Sequence, residues 1–534
     1  MLKFRQMISV RGDYYRWSLL FLICFFILFY WPAVFGGDYL YADDYGVRQR
    51  IQEGRLDWIE NLFTQMGRPI FGIFNNIIFR SFNEISDYAW VRAFGLLGTL
   101  ACALKIRNLG IRFQWPMAYT LCIILVMLAN PGWGIYVGWT MCAAFPWAGF
   151  LALCAGSLFL PKDGESPRIW WVFVAIVLSL ISICTYQITA SLVLIPFLFW
   201  LREQMSFRSR VITAISAYTV MASAYLGNLL FIRMVKETIF AEANKKLNRD
   251  GLVVDLGERL GALYTKVLPF LIDQWTTYLS RSWIIAGEGI LLVGLFLGLI
   301  TLLINRDELK ASALRFIFYL PCLLFVAAPV ILLKEAIFPL RMLPVLSGTL
   351  CVGYLLVLPL HWKPRFPIIE RTSVVFAGIW ILFQMSSGAY VFREGLVAPN
   401  VREVKAWKKQ LSSQFDSRPD RFIYYEPINQ NDGFSRLPYI REYGHASASY
   451  VWMGQRAINT YFDELFPDSP KGKTKSLSLP DSYSIYATDC ARSIYGWKVA
   501  TPGFPPVAPG GRSLEHPLLG NLVDLGNNWR GGWL

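Results

Sequence analysis

A long apolar run followed by an acidic pair decides the fold of this chain. Residues 17–35 read WSLLFLICFFILFYWPAVF, and Tyr41-Ala42-Asp43-Asp44-Tyr45 follows after a short spacer. The run has the length of a membrane-spanning helix, so the two aspartates lie where that helix gives way to water. Carboxylates are expensive to bury and ordinary when solvated, so this position alone is no evidence of chemistry.

The composition indicates a polytopic membrane protein. Of the 534 residues, 55% are hydrophobic and 16% are charged, and the mean hydropathy is +0.40, which is too apolar for an ordinary soluble protein. The net charge of +14 raises nucleic-acid binding as an alternative. Lys and Arg are scattered between apolar runs rather than gathered on one polar face, so we expect no nucleic-acid partner.

Apolar runs predict about 11 transmembrane helices. They lie near residues 17–35, 88–104, 113–130, 141–160, 169–185, 188–201, 211–233, 283–304, 313–333, 342–360 and 372–392. The basic run before residue 17 indicates a retained anchor, because the apolar run is too long for a signal peptide and has no clean A-x-A site. Basic connectors alternate with non-basic ones at 131–140 and 186–190, so the positive-inside rule predicts a cytoplasmic N-terminus and a periplasmic C-terminus.

Two outer loops, residues 36–87 and 234–282, are too long and too charged to be plain connectors. Apolar residues at helical spacing predict amphipathic helices lying flat on the outer leaflet at about 46–82 and 251–280. The first loop is interrupted at Gly67-Arg68-Pro69, which predicts one helix over 46–66 and a second after it.

Residues 393–534 lose the long apolar runs, so we expect a soluble periplasmic α/β domain there. A helix is predicted at 401–415 and strands at 421–425, 447–452 and 483–487. The predicted fold is therefore a polytopic α-helical membrane domain over 1–392, followed by this soluble domain.

The acidic pair has two interpretations. A carboxylate outside the first span could act as a general base that takes a proton from an acceptor hydroxyl. Asp44 could instead cap the helix over 46–66, because Asp is a preferred capping residue. Both can hold at once, and the sequence leaves open whether Asp43 or Asp44 is the base.

Basic residues on the outer side are candidates for binding an anionic lipid headgroup. Lys334 and Arg341 flank a short outer connector, and Arg68 and Arg281 lie in the two long loops. Arg can bind a phosphate through a bidentate fork and Lys as a point charge. Alternatively, these side chains extend to the membrane–water interface, or Glu335 neutralises Lys334 and Arg341.

Tyr186 and Gln187 form a polar turn between two apolar runs, on the same side as the aspartates. Their side chains could hydrogen-bond a sugar or simply complete a hairpin. The uncharged connector ending at Trp139 offers aromatic surface for a sugar ring, or an aromatic belt. Together with Tyr45, these residues are the candidate sugar contacts.

The sequence gives little support for a metal or cofactor. Most of the nine cysteines lie in apolar runs, without a CxxC motif or disulfide framework. His361, His445 and His516 are far apart in sequence. With so few soft ligands, we expect neither a catalytic metal nor another cofactor.

The chain resembles the GT-C class of membrane glycosyltransferases, and most closely the phage-type O-antigen glucosyltransferases that change bacterial serotype. The residues that carry the resemblance are the ADDY stretch over 42–45, Gly67-Arg68-Pro69, Tyr186-Gln187 and Arg341, which precedes a span. The likeness covers residues 1–392.

This resemblance implies a GT-C-like fold and metal-independent transfer at the periplasmic face of the bacterial inner membrane. The implied donor is a polyprenyl-phosphate sugar, usually undecaprenyl-phosphate glucose, and the implied acceptor is lipid-linked O-antigen. It also implies an acidic loop residue as base and basic residues that hold the leaving phosphate. Arg48, four positions after Asp44, departs slightly from the spacing expected of this family.

We therefore expect a glycosyltransferase in which Asp43 or Asp44 deprotonates the acceptor. The leaving phosphate is neutralised by Lys334 and Arg341, with Arg68 or Arg281. A sugar is oriented by Tyr186 with Gln187. A donor-lipid synthase and a flippase are expected partners, along with membrane lipid. The alternatives are an O-antigen polymerase or ligase, which needs basic residues in large outer loops, and a lipid-linked glycan flippase, which needs charges lining a cavity within the spans.

Overall fold

The computed structural model describes residues 2–41, 43–82, 84–160, 169–200, 367–418, 421–426, 454–469, 473–478 and 498–500, with scattered positions between 211 and 349. Several predicted features lie outside these residues. They are the helix over 251–280, the strands at 447–452 and 483–487, most of the spans between 211 and 360, and the side chains of Arg281, Lys334 and Arg341.

The described part of the chain contains membrane-type helices. Helix α1, Leu2–Phe35, is joined by three shorter helices to α5, Tyr88–Arg112, and a 3₁₀ turn over Thr140–Ala144 leads into α8, Phe145–Leu158. By length and composition, three described helices can cross a membrane: Arg16–Phe35, Tyr88–Arg112 and Thr140–Leu158. A bent helix pair brings the number to four if it forms one span. The chain is thus an α-helical protein of membrane type, and the total of about 11 spans stays a prediction.

The bent pair replaces a predicted surface connector. Helix α6, Met117–Leu128, meets α7, Pro131–Gly138, at 64°. Pro131 starts the new helix, and the Asn130 side chain accepts a hydrogen bond from the Trp133 N–H at 2.9 Å, which caps it. Every residue of α7 is buried. Residues 131–138 are therefore a buried helix rather than a connector facing water.

The predicted span over 188–201 also takes a different form. After α9, Ile169–Thr185, come α10, Gln187–Ala190, a 3₁₀ turn, Ser191–Leu194, and α11, Ile195–Trp200. All three pieces belong to the core, apart from the half-buried Gln187.

The loop over residues 36–87 forms three helices where the sequence pattern predicts two. They are α2, Asp43–Gln52, α3, Leu56–Gln65, and α4, Pro69–Ser81. Gly54 and Gly67 both have φ of 75°, a conformation that favours glycine and ends a helix. The apolar spacing continues across Gly54, which is why the pattern alone gives a single helix there.

A buried arginine holds the start of this loop. Arg92 of α5 is fully buried and donates hydrogen bonds to the carbonyls of Ala33 at 2.5 Å and Tyr39 at 2.8 Å. Its guanidinium also lies 4.1 Å from the centroid of the Tyr39 ring. The Tyr39 hydroxyl donates to the Gly138 carbonyl at 2.8 Å. The chain leaving α1 is thus tied to α5 and α7 before α2 begins.

The C-terminal segment begins within a continuous helical stretch. Helix α12, Pro367–Phe392, passes through a π-helical turn, Arg393–Val397, into α13, Ala398–Gln414. The predicted domain boundary after residue 392 therefore falls inside this stretch, and the helix predicted over 401–415 begins earlier.

A small sheet and one more helix follow. Strand β1, Arg421–Glu426, is central, with β2, Lys473–Ser478, parallel on one side and β3, Lys498–Ala500, antiparallel on the other. Helix α14, Gly454–Leu465, precedes β2. Residues of α13 and α14 belong to the same hydrophobic core as α1 and α5. That the segment is soluble and periplasmic stays a prediction.

Close helix packing at Gly156 gives a first prediction. A Cβ added there would collide with the Val193 carbonyl, a backbone group that cannot move aside, whereas a Cβ at Gly378 of α12 would meet no described residue within 4 Å. We expect Gly156→Ala to lower the free energy of unfolding by about 1–3 kcal/mol. Gly378→Ala, the matched control, should be neutral or stabilising by up to about 1 kcal/mol. Denaturation in detergent checks this, and equal stability of the two variants would contradict the packing.

Candidate active site

Asp44 is fully buried and links α2 to the turn before α8. One carboxylate oxygen, Oδ2, accepts a hydrogen bond from the Tyr41 N–H at 3.0 Å, and Oδ1 accepts one from the Met141 N–H at 3.1 Å. Because α2 begins at Asp43, Asp44 lies in the first turn rather than at the N-cap predicted before residue 46. Its side chain reaches back to the N–H before the helix, as the acidic partner of a capping box does.

Burial changes the acidity of this carboxyl group. Loss of water raises the pKa of Asp44 from 3.8 to about 7, although the hydrogen bonds from Tyr41 and Met141 and the charge of Arg92 act in the opposite direction. Asp44 is therefore near the midpoint of its titration at neutral pH.

Asp43 has a different environment. It is half-buried. Within the part of the chain that the structure describes, no hydrogen bond or ion pair engages its carboxylate. Of the two adjacent acids, Asp44 therefore has both oxygens occupied by backbone N–H groups, and Asp43 is open to another molecule.

Tyr45 faces the C-terminal helices rather than an open surface. Its buried hydroxyl lies 2.8 Å from the hydroxyl of Tyr461 on α14, and the two rings pack edge to face at 5.8 Å. One turn later, Arg48 is 3% exposed and pairs with Glu464 of α14 at 3.5 Å. The predicted contact of Tyr45 with a sugar therefore has no exposed surface to use, and Arg48 is engaged by the C-terminal segment.

The structure brings together Arg68, Tyr186 and Gln187, three residues predicted from separate parts of the sequence. Arg68 Nε donates to Gln187 Oε1 at 3.0 Å, and Gln187 Nε2 donates to the Gly67 carbonyl at 3.0 Å. The Arg68 guanidinium lies over the Tyr186 ring at 4.8 Å from its centroid. Gln187 and Tyr186 thus fix the direction of the Arg68 side chain.

The forked end of Arg68 stays available. Arg68 is half-buried, and among the residues described here its only hydrogen bond is the one from Nε. Its two Nη groups can therefore bind a carboxylate or phosphate through paired N–H groups.

One short turn connects the acidic pair to this arginine. Met141 binds Asp44 at the start of the turn, and Phe145, four residues later, stacks on Tyr186 with ring centroids 3.7 Å apart and planes 4° apart. Asp44 is therefore connected to Arg68 through the Met141 turn, Phe145 and Tyr186. A series of direct contacts thus links the acidic pair to a cation that can bind an anion.

Trp139 is buried beside the turn and is not part of an exposed surface. It is 4% exposed, and its ring packs edge to face on Tyr41 at 5.1 Å. The aromatic connector that the sequence offers as sugar-binding surface is thus buried, as α7 is.

The sequence interpretation missed Arg92 and the Met141 turn. Arg92 lies inside a predicted span, and a charge there is a signal of function or of a buried partner. The role of Met141 uses only its backbone N–H, for which the side-chain sequence carries no signal. The described residues contain no group of three or more His, Cys, Asp or Glu that could hold a metal ion.

Comparisons with known proteins identify no family for this chain. No family model matches the chain, and no curated protein matches it. Among solved structures, the crystal structure of ArnT from Cupriavidus metallidurans in the apo state is similar, with 14% identity and a TM-score of 0.30 over 90% of this chain and 95% of that chain. A TM-score of this size carries no argument about family or activity.

The raised pKa of Asp44 gives a prediction about pH. Between about pH 4 and pH 7 the folded chain binds the Asp44 proton more tightly than the unfolded chain, so this group makes the free energy of unfolding fall as pH rises. The fall attributable to Asp44 is on the order of 4 kcal/mol. In Asp44→Asn this component should vanish. Denaturation in detergent from pH 4.5 to 8, followed by tryptophan fluorescence, measures both slopes, and identical slopes would refute the assignment.

Proposed function

We propose that this chain is a membrane glycosyltransferase of the GT-C class that uses a polyprenyl-phosphate sugar. The observation that supports this most is the open carboxylate of Asp43 beside the anchored Asp44, which a series of contacts through Met141, Phe145 and Tyr186 connects to the guanidinium of Arg68. The reaction needs such a pair: one group to accept a proton and one to bind a departing phosphate.

Asp43 is the proposed general base. Asp44 is fully buried and both of its oxygens are held by backbone hydrogen bonds, so it presents no surface to a substrate hydroxyl. Asp43 is half-buried and its carboxylate is free among the described residues. The acceptor hydroxyl loses its proton to Asp43 as its oxygen bonds to the anomeric carbon of the sugar. Asp44 fixes the geometry of this step.

The leaving group is the lipid phosphate. As the bond between the anomeric carbon and the phosphate oxygen breaks, the electron pair stays with the polyprenyl phosphate, whose added charge Arg68 stabilises. Arg281, Lys334 and Arg341 are further phosphate ligands proposed from the sequence alone. Phosphate is already a good leaving group, so positioning and charge stabilisation suffice and no metal is included in the proposal.

Four residues predicted to contact a sugar receive other roles in this proposal. Both polar atoms of the Gln187 side chain are engaged, and Tyr186 is buried under Arg68, so this pair positions the phosphate ligand. Tyr45 and Trp139 are buried supports of the loop that carries Asp43. The sugar is therefore bound by residues other than these four.

The identities of the donor and the acceptor are proposed from the resemblance to phage-type serotype-converting enzymes. The donor would be undecaprenyl-phosphate glucose, supplied by a donor-lipid synthase and a flippase, and the acceptor would be lipid-linked O-antigen at the periplasmic face of the inner membrane. A polymerase or ligase would not depend on the early acidic pair, so variants of the two aspartates distinguish these classes.

A flippase or transporter has less support. Arg92 and Arg107 lie in a membrane-type helix, but Arg92 is bonded to backbone carbonyls of α1 and the following loop, and Arg107 Nε donates to Ser18 Oγ at 3.0 Å. Both arginines therefore hold α5 against the first helix and its loop, whereas transport would need charges facing a cavity.

The base assignment predicts an order among the aspartate variants. With purified protein, labelled undecaprenyl-phosphate glucose and lipid-linked O-antigen, Asp43→Asn should lower kcat by about 100-fold or more, because the proton acceptor is lost. Asp44→Asn should lower it by about 10-fold through misplacement of α2. Full activity of Asp43→Asn would refute Asp43 as base, and full activity of both variants would refute a catalytic role for the acidic pair.

The phosphate assignment predicts an effect on donor binding. Arg68→Lys keeps the charge but loses the fork and the bond to Gln187, so KM for the donor should rise by about 10-fold. Gln187→Leu should act in the same direction. Arg80→Lys is the matched control, because Arg80 is an exposed basic residue on the same outer helices. Equal KM values for the Arg68 and Arg80 variants would exclude Arg68 as a donor ligand.

A further inference from the structure

We propose that the C-terminal segment positions the active-site helix, with Tyr461 and Glu464 of α14 as positioning residues for Asp43. This inference rests on the proposed function for its catalytic consequence. The physical contact it describes can be tested without any substrate.

The first observation is a chain of buried hydroxyl groups. Tyr461 donates to Glu403 Oε1 of α13 at 3.3 Å, so its single proton is used there, and the Tyr45 hydroxyl donates to the Tyr461 oxygen at 2.8 Å. Tyr45 and Tyr461 are fully buried, and Glu403 is 3% exposed. A buried polar chain of this kind fixes its members in one arrangement, because moving any of them leaves a polar group without water.

The second observation is a shared carboxylate on the same helix. Glu464 lies 3.5 Å from Arg48 of α2 and 2.6 Å from Lys408 of α13, and its Oε1 accepts the Ile85 N–H at 2.6 Å. The Glu464 side chain is only 10% exposed. One side chain of the C-terminal segment therefore holds α2, α13 and the chain before α5 together.

These contacts fall on one side of α2. Tyr45 and Arg48 are three residues apart, so they share a helix face, and that face contacts α14. Asp44 instead bonds to the turn before α8. Helix α2 is thus held between the membrane helices and the C-terminal segment, with Asp43 in its first turn. Release of the α14 side would let Asp43 shift relative to Arg68, and a displacement of about 1 Å can lower a rate by about 100-fold.

Removal of Glu464 is a poor first test, because it takes away a carboxylate that pairs with the buried Arg48 and could unfold the chain. Tyr461→Phe keeps the ring packing on Tyr45 and removes only the hydroxyl. Tyr45→Phe removes the other end of the same bond. The pair therefore allows a double-mutant cycle with little change of shape.

In the glycosyl-transfer assay, we expect each single variant to lower kcat by about 10-fold with KM for donor and acceptor within about 2-fold. The double variant should also lose about 10-fold, because both changes break one bond, whereas independent effects would multiply to about 100-fold. A multiplied loss, or full activity of both single variants, would overturn the positioning role.

Asp463→Asn is the matched control for damage to the segment itself. Asp463 neighbours Glu464 on α14 but pairs with Arg418, which follows α13, so this pair joins two parts of the C-terminal segment. We expect Asp463→Asn to lower thermal stability as much as Tyr461→Phe does while keeping kcat within about 2-fold. A loss of kcat equal to that of Tyr461→Phe would mean that activity follows the stability of the segment and not the contact with α2.

Hydrogen exchange separates this inference from the proposed function. In the full chain, reconstituted in lipid nanodiscs without substrate, Tyr461→Phe should accelerate exchange of the amides of residues 43–52 by about 10-fold, while those of α8 stay unchanged. Unchanged exchange over residues 43–52 would overturn the inference even if transfer activity is present. Accelerated exchange in a chain without transfer activity would retain the contact and reject only the proposed function.

Discussion

The candidate site depends on the burial of one carboxylate. Asp44 gives up water to accept two backbone hydrogen bonds, from the residue before α2 and from the turn before α8. Without those bonds the burial of an acid would be costly, and without the acid two N–H groups would be left unsatisfied. This mutual requirement fixes the start of α2 against the membrane helices and holds Asp43 at a defined place beside it.

Other buried polar side chains near Asp44 also hold neighbouring segments of the chain in place by hydrogen bonds. Arg92 binds the carbonyls of the chain leaving α1, and Gln187 joins Arg68 to the Gly67 carbonyl. Tyr45 extends the set to the C-terminal segment. Arg92 and Gln187 thus satisfy backbone carbonyl groups at the end of a helix or in a loop, as buried backbone requires. By contrast, no hydrogen bond or ion pair among the described residues engages the Asp43 carboxylate or the two Nη groups of Arg68.

The sequence predicted the type of fold, whereas the surroundings of the candidate site residues are known only from the structure. Long apolar runs predicted the membrane-type helices. The motifs named Arg68 and Gln187, which contact each other in the structure, and Asp44, which contacts the Met141 turn. Roles depend on burial, which a local pattern does not encode. Tyr45 and Trp139 look like sugar contacts in sequence and are core residues in the structure. The bend at Asn130 and the break at Gly54 depend on single residues within apolar patterns that continue across them.

The proposed transfer of a sugar to a lipid-linked glycan depends on the early acidic pair of this chain. Mass spectrometry of lipopolysaccharide from otherwise identical bacteria, with and without the chain, tests this most directly. We expect one added hexose on the O-antigen repeat when the intact chain is present, and none when it carries Asp43→Asn. Identical lipopolysaccharide in the presence and absence of the chain would contradict it.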